Sequence, residues 1–297
     1  MDRDLPMALV TPSFAGDATR CRVLVESVQR YARCPLRHYL LVDERDEALF
    51  APLAGPTTIV VTAESLLPYW LRRPANGANH WMIRGQMPLP NWYTQQILKI
   101  AFARCATEPV VVFADSDVAF VRPFDAAPFI RNGAVRLFRV PDFEDEQHRA
   151  WHRTALAWLG IPEPAPDQPH PNYVGNLITW KPGLADALCR HLETVAGRAW
   201  AEVLAAPHPF SEYMLYGCFI QHVLGGEQPA GHFYDTRPIC HDYWLPEPLD
   251  EAGLERFFRG LTPDHVAVMV SARAPLHAAR YRALVLGHPS ERDDPAP

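Results

Sequence analysis

The chain has 297 residues, of which 48% are hydrophobic and 11% are aromatic, so a substantial core is possible and global disorder is excluded. Its net charge of −6 argues against a protein that holds nucleic acid on a basic surface. No segment approaches the ~18 uninterrupted apolar residues of a membrane helix, and we expect a cytoplasmic protein with no transmembrane segment.

The N-terminal part of the chain alternates between apolar strands and helices. Strands are predicted at residues 7–10, 39–42 and 57–61, with a helix that ends near Pro35 between the first two. This β-α-β-α-β order predicts a parallel, Rossmann-like sheet. Thr11, Pro12 and Phe14 follow the first strand and Asp43 follows the second, at the sheet edge where open α/β folds bind their ligands.

A long irregular loop is predicted at residues 69–90, because prolines and glycines interrupt the segment throughout. Such loops inside compact domains are often functional, and Arg84 could close over a bound substrate from this one. An amphipathic helix is predicted at residues 91–106. Gln96 and Lys99 could face substrate phosphates from this helix, since it leads directly into the next strand; a solvated helix face is the alternative.

The most informative stretch is VVVFADSDVAFVRPF at residues 110–124. Its all-apolar strand is typical of the centre of a parallel sheet, where both faces are buried. The strand ends at Asp115-Ser116-Asp117, and two carboxylates that flank a small residue offer the hard oxygen ligands that Mg²⁺ and Mn²⁺ prefer. A plain turn is the alternative, but the buried-strand context favours binding of a divalent cation.

The second half continues with strands at residues 134–140, 177–180, 231–234 and 266–270 and helices at 144–159 and 185–199. Asn176 enters one of these strands, and another helix begins at Ser211-Glu212, with Ser211 as a plausible cap. We expect one domain at residues 1–288, with halves 1–125 and 126–288, and a disordered tail at 289–297. The six cysteines form no Cys-x-x-Cys pair, which predicts buried free thiols.

With these pieces in order, the chain resembles nucleotide-sugar glycosyltransferases of the GT-A fold. The segments QQ-x-x-K, V-F-A-D-S-D-V-x-F, N-Y-V-G-N and F-S-E-Y-x-x-Y-G are similar to an uncharacterised group of bacterial GT-A-like proteins. The resemblance implies an α/β fold with a mostly parallel central sheet and a smaller acceptor-side lobe. It also implies metal-dependent transfer of a sugar from a nucleoside-diphosphate sugar to a hydroxyl of a glycan, a lipid-linked sugar or a small molecule.

The resemblance assigns roles to particular residues. Asp115 and Asp117 would hold Mn²⁺ or Mg²⁺, and Glu212 would be the general base of an inverting reaction. Thr11, Pro12, Phe14 and Asp43 would frame the base and ribose, with Arg84, Gln96, Lys99 and Asn176 as further donor contacts. A third metal ligand would come from late in the chain, where His277 is a candidate beside His241, His265 and Asp242. Ser211-Glu212 replaces the paired acids common in inverting members, so the stereochemical outcome stays open.

Two other functions remain possible from the sequence. A nucleotidyltransferase shares the nucleotide-binding half and an Asp-held metal, but it typically has a glycine-rich, basic loop after the first strand. Here that loop is TPSFAGDATR, with one glycine and one arginine, which argues against that function. A non-catalytic nucleotide- or carbohydrate-binding protein on the same scaffold is the other alternative.

Overall fold

The computed structural model describes residues 4–74, 80–85, 87–165 and 168–287, so the predicted disordered tail lies outside the described residues. The strands are β1 (Met7–Pro12), β2 (Leu36–Val42), β3 (Thr58–Thr62), β4 (Leu71–Arg72), β5 (Trp81–Ile83), β6 (Met87–Leu89), β7 (Val110–Phe113), β8 (Val118–Phe120), β9 (Ile130–Arg131), β10 (Ala134–Phe138), β11 (Val140–Phe143), β12 (His170–Asn172), β13 (Ile178–Trp180), β14 (His232–Asp235), β15 (Cys240–Tyr243) and β16 (Ala267–Val270). The α-helices are α1 (Ala18–Tyr31), α2 (Glu47–Phe50), α3 (Ala63–Leu66), α4 (Asn91–Cys105), α5 (Glu146–Leu159), α6 (Pro182–Ala196), α7 (Trp200–Leu204), α8 (Glu212–Cys218), α9 (Glu227–Ala230), α10 (Glu251–Arg259) and α11 (Ala278–Gly287).

The central sheet has five strands in the order β13-β7-β1-β2-β3. The pairs β1·β2, β2·β3 and β1·β7 are parallel, and only the edge strand β13 runs antiparallel. This confirms the predicted α/β fold with a mostly parallel central sheet. The second half of the chain contributes only β13 to this sheet. Its other described strands build small separate sheets, in which β14 pairs with β10, β15 with β16, and β16 with β8.

The strand order places a crevice beside the central strand β1. The chain leaves β1 toward β2 on one side, and β7 pairs with β1 on the other side. In open α/β sheets, ligands bind outside the carboxyl ends of strands at such a reversal point. The loops after β1 and β7 therefore meet at this edge, and the loop after β7 is the one that carries the two aspartates.

Two buried layers cover the sheet. On one face Phe113 packs edge-on against Trp180, and Trp180 stacks on Tyr216 of α8 with ring centres 4.5 Å apart. On the other face Leu9 and Val112 pack with Leu24 of α1. These apolar contacts hold β1 and β7 rigidly, so the residues that follow them start from fixed positions.

The prediction of an irregular loop at residues 69–90 is wrong in part. Its described residues form three short antiparallel strands, β4 to β6, which pair with one another. The turn after β5 uses backbone angles of positive φ at Arg84 (52°) and Gly85 (71°). Strands of two or three residues are too short to show a periodicity in sequence, and for that reason the sheet was not predicted.

The prediction of buried free thiols is confirmed for four of the six cysteines. All six thiols are unpaired; four are buried, whereas Cys34 is partly exposed and Cys105 is exposed. Within the described ranges no helix has both the length and the apolarity needed to cross a membrane.

We expect the free energy of unfolding to fall below pH 6.5 because of His38. Burial lowers the pKa of this β2 side chain to about 3, and its Nε2 lies 2.9 Å from Thr11 Oγ1. The unfolded chain binds a proton near pH 6.5 and the folded chain does not, so stability is lost as pH falls, by ~1.4 kcal/mol per pH unit. Urea titration measures the free energy of unfolding at pH 7.5 and at pH 5. The decrease between the two should be smaller by ~2 kcal/mol in His38→Gln than in the wild type. Equal decreases would show that His38 does not cause the loss of stability.

Candidate functional site

A cleft of about 280 Å³ opens at the carboxyl ends of β1 and β2. Three residues predicted to frame a nucleoside, Pro12, Phe14 and Asp43, lie on its wall. The other lining residues are Ser13, Asp17, Leu41, Arg73, Trp81, Asn91, Trp92, Thr94, Gln95 and Leu98. Phe14 and Trp92 are 45% and 42% exposed, so part of each ring surface can contact a planar group.

Asp43 is held in place at one end of the cleft by Arg73. The Nη2 atom of Arg73 lies 2.6 Å from Asp43 Oδ2, and its Nη1 donates to Asn91 Oδ1 at 3.0 Å. The guanidinium also lies over the Trp81 ring, 5.1 Å from the ring centre. Burial raises the pKa of Asp43, and Arg73 opposes this shift. Arg73 was not identified from the sequence, since it lies far from Asp43 along the chain.

The aspartate pair after β7 lies in a tight turn. Val118 N donates to Asp115 O at 3.0 Å, and this turn connects the central sheet to β8 of a separate sheet. Asp117 Oδ2 accepts from Ala272 N at 2.9 Å. Ser116 Oγ donates to Asp17 Oδ2 at 3.3 Å, and Asp17 also lines the cleft. The turn and the cleft that contains Asp43 are therefore neighbours.

The turn concentrates negative charge. Burial raises the pKa of Asp117 to about 7, and the Asp115 carboxylate adds to this shift. Burial likewise raises the pKa of Asp17. A divalent cation would relieve this repulsion, so the donor set fits Mg²⁺ or Mn²⁺ chemically. Among the described residues no three His, Cys, Asp or Glu side chains form a group that could hold a metal ion.

Lys99 connects the turn to α8. Its Nζ atom lies 3.0 Å from Asp115 Oδ1, 3.0 Å from Glu212 Oε1 and 2.9 Å from the Tyr213 hydroxyl. Burial lowers the pKa of Lys99, but the Asp115 and Glu212 carboxylates outweigh it and hold the pKa well above the usual range. The ammonium is therefore charged and fully engaged in this arrangement, and binding of a donor phosphate by Lys99 stays a prediction.

Glu212 is fixed from two sides. Gln96 Oε1, one turn before Lys99 on α4, accepts from Glu212 N at 2.9 Å. Ser211 Oγ caps α8 by accepting from Met214 N, as the sequence predicted. The Glu212 side chain is only 4% exposed and faces Lys99. Its role as general base stays a prediction.

Helix α4 is buried nearly all round, from Gln96 through Ala103, so the prediction of an amphipathic helix is wrong. The contacts of Lys99 with Asp115 and Glu212 were indicated in the sequence by the single lysine in the apolar run ILKIAFA. A buried ammonium requires negatively charged partners.

The remaining predicted site residues lie elsewhere. Thr11 is buried against His38, and Arg84 pairs with Glu202 Oε1 at 2.6 Å on the wall of a larger cavity. Asn176 lies beside the Asp242 carboxylate. His277 is exposed, and its Nδ1 accepts from Arg280 N at 3.2 Å at the start of α11. The structure brings none of these four onto the wall of the cleft.

Comparison with known proteins gives a family and distant structural similarities. A model described as a family of unknown function, DUF6492, matches residues 4–273. No curated protein matches the chain. Mouse xyloside xylosyltransferase 1, in its apo form, is 12% identical with a TM-score of 0.46, over 92% of this chain and 100% of that one. The apo structure of the bifunctional glycosyltransferase WbbM is 11% identical with a TM-score of 0.46 over 91% of this chain. This chain spans 46% of the WbbM chain. Similarities at this level carry no argument about the chemistry of this chain.

Proposed function

This chain belongs to the DUF6492 family, and we propose that it is a metal-dependent glycosyltransferase that moves a sugar from a nucleoside-diphosphate sugar to an acceptor hydroxyl. One observation carries the proposal. The cleft lined by Pro12, Phe14 and Asp43 extends to Asp17, which contacts the turn that holds Asp115 and Asp117. A nucleoside in the cleft would thus direct its diphosphate toward the two carboxylates.

Several features of the cleft support the proposal of a nucleoside site. Its volume of about 280 Å³ is near the lower end for small-molecule pockets. Phe14, Trp81 and Trp92 provide aromatic surface for a base. Thr94 Oγ1 is buried without a hydrogen-bond partner among the described residues, which is costly unless a ligand or water pairs with it. Asp43 and Arg73 offer an acceptor and donors for the polar edge of a base or a ribose hydroxyl.

The aspartate turn supports the metal-dependent part of the proposal. Asp115 and Asp117 would hold Mn²⁺ or Mg²⁺, with diphosphate and water oxygens as further ligands. When bound, the cation would stabilise the negative charge that develops on the leaving diphosphate. The acceptor would be a glycan, a lipid-linked sugar or a small molecule, and it would approach from the side of α8.

Titration of nucleotides tests this proposal directly. We expect UDP or GDP to raise the melting temperature of the protein when Mn²⁺ is present and much less when it is absent. One nucleoside-diphosphate sugar of a panel should then be hydrolysed slowly in a Mn²⁺-dependent manner. Stabilisation by a nucleoside triphosphate together with release of pyrophosphate would instead indicate a nucleotidyltransferase. Binding without any turnover of the panel would favour a non-catalytic binding protein.

Asp43→Asn should weaken nucleotide binding at the base end of the cleft. The substitution keeps the size of the side chain but removes the charge that holds Arg73 at 2.6 Å. We expect the dissociation constant for UDP or GDP with Mn²⁺ to rise about tenfold, since hydrogen bonds to charged groups contribute ~1.5–3 kcal/mol. Calorimetric titration measures this change, and Asp186→Asn, which alters a surface pair with Arg104, is the matched control. Equal affinities for wild type and Asp43→Asn would place the nucleoside elsewhere.

A further inference from the structure

The Lys99 ammonium lies between one inner and one outer carboxylate. Both are 3.0 Å from Nζ, but the Glu212 side chain is 4% exposed and the Asp115 side chain is 42% exposed. Lys99 itself is 5% exposed. Lys99 therefore contacts a buried carboxylate, Glu212, and a partly exposed one, Asp115. A metal ion would arrive from the solvent that Asp115 faces.

Glu212, the buried carboxylate, is held in place and cannot easily move toward the solvent with Lys99. Gln96 holds the backbone of Glu212, and both Gln96 and Lys99 belong to the buried helix α4. The hydroxyl of Tyr213, the residue after Glu212, fills a third contact of the ammonium. The position of Lys99 is therefore set by α4 and α8, and its charge is divided between Glu212 and Asp115.

We propose that Lys99 is an internal cation that competes with the divalent metal for Asp115, and that Glu212 is the positioning residue that draws Lys99 away from Asp115. This inference rests on the proposed function, because it takes Asp115 as a metal ligand. Glu212 then sets the affinity of the metal site through Lys99, without touching the metal or the substrate.

The side chain present suits this role. The chain has 26 arginines but only two lysines, Lys99 and Lys181. An ammonium is a compact point charge that can lie between two carboxylates, whereas a guanidinium is a planar fork that fixes itself to one of them. A compact charge can shift toward Glu212 when a metal ion occupies Asp115, with no rearrangement of α4.

The charge balance predicts opposite changes in metal affinity for Glu212→Gln and Lys99→Met. With Asp115, Asp117 and Glu212 all ionised and Lys99 protonated, the group carries a net charge of −2. Glu212→Gln leaves Lys99 facing only Asp115 and reduces the attraction for a cation. Lys99→Met removes the competing cation and increases it. The double variant restores the net charge of −2, and its affinity should return toward that of the wild type.

The experiment is a titration with Mn²⁺ alone, in which free Mn²⁺ is measured by electron paramagnetic resonance. We expect about tenfold weaker binding for Glu212→Gln and about tenfold tighter binding for Lys99→Met, as expected for unit charges a few ångström away in a partly screened site. The double variant should lie within a few-fold of wild type. Lys181→Met, whose ammonium donates to Ala230 O at 3.1 Å, is the matched control and should not change the affinity.

The outcomes separate this inference from the proposed function. If the wild type binds no Mn²⁺, either alone or with UDP or GDP present, both are overturned. If the wild type binds Mn²⁺ but Glu212→Gln binds it equally well, only this inference fails; a loss of turnover in that variant would then indicate a general base. Lys99→Met leaves two buried carboxylates unbalanced, so circular dichroism must confirm its fold. If it does not fold, Glu212→Gln is compared with the double variant instead. The inference is overturned if the double variant binds Mn²⁺ as weakly as Glu212→Gln does.

Discussion

Asp117→Asn is expected to weaken Mn²⁺-dependent binding of UDP or GDP by at least about 100-fold, the upper range for changes around a metal ligand. The substitution keeps the shape of the side chain and an oxygen that can accept from Ala272 N, but it removes the charge that a divalent cation requires. Calorimetric titration of the nucleotide with and without Mn²⁺ measures the loss. Ser116→Ala is the matched control, because it changes the same turn and keeps both carboxylates. Unchanged affinity in Asp117→Asn would remove Asp117 from the metal site.

The same substitution should not reduce stability in the absence of metal. The pKa of Asp117 in the folded protein is about 7, above the value of about 3.9 in an unfolded chain. A carboxyl group whose pKa is raised on folding contributes stability at low pH, and this contribution is lost as pH rises through the folded value. At pH 8 the Asp117 charge therefore opposes folding, and Asp117→Asn should melt at the same temperature as wild type or higher. A variant that loses binding because it unfolds would instead have a lower melting temperature than wild type.

The sheet could be predicted from sequence because its signals are local. The strand β7 is a run of apolar residues that ends at two carboxylates, and α1 has apolar positions at helical spacing up to Tyr31. Both predictions match the structure closely at the level of element type. Each depends on neighbours within one strand or one helix, which a single sequence displays directly.

The partners within the site could not be predicted in the same way. Lys99 meets Glu212, and Arg73 meets Asp43, only because the fold brings distant segments together. A sequence shows that a lysine lies in an apolar helix and must have a partner, but it does not show which of the 34 acidic residues is that partner. The register of the small sheet β15-β16-β8, which places Ala272 beside Asp117, is likewise a tertiary result.

Gly217→Ala is expected to lower the free energy of unfolding by about 1–3 kcal/mol, the usual cost of an overpacked core. Gly217 lies on α8, and a methyl group there would come within 2.2 Å of the Tyr173 ring, far closer than any tolerated contact. Tyr173 is fully buried and cannot swing into solvent. The N-Y-V-G-N segment and α8 would therefore have to separate.

Gly183→Ala is the matched control for this prediction. Gly183 is also helical, on α6, but a methyl group there would meet nothing within 4 Å. Alanine is favoured over glycine in a helix, so this variant should be as stable as wild type or more stable by ~0.5–1 kcal/mol. Urea unfolding of the three proteins at pH 7.5 measures both effects. Because α8 begins at Glu212, a displacement at Gly217 should also disturb the contact of Glu212 with Lys99, and Mn²⁺ binding should change in Gly217→Ala but not in Gly183→Ala. Equal stabilities of the two variants would mean that Tyr173 and α8 are not in close contact.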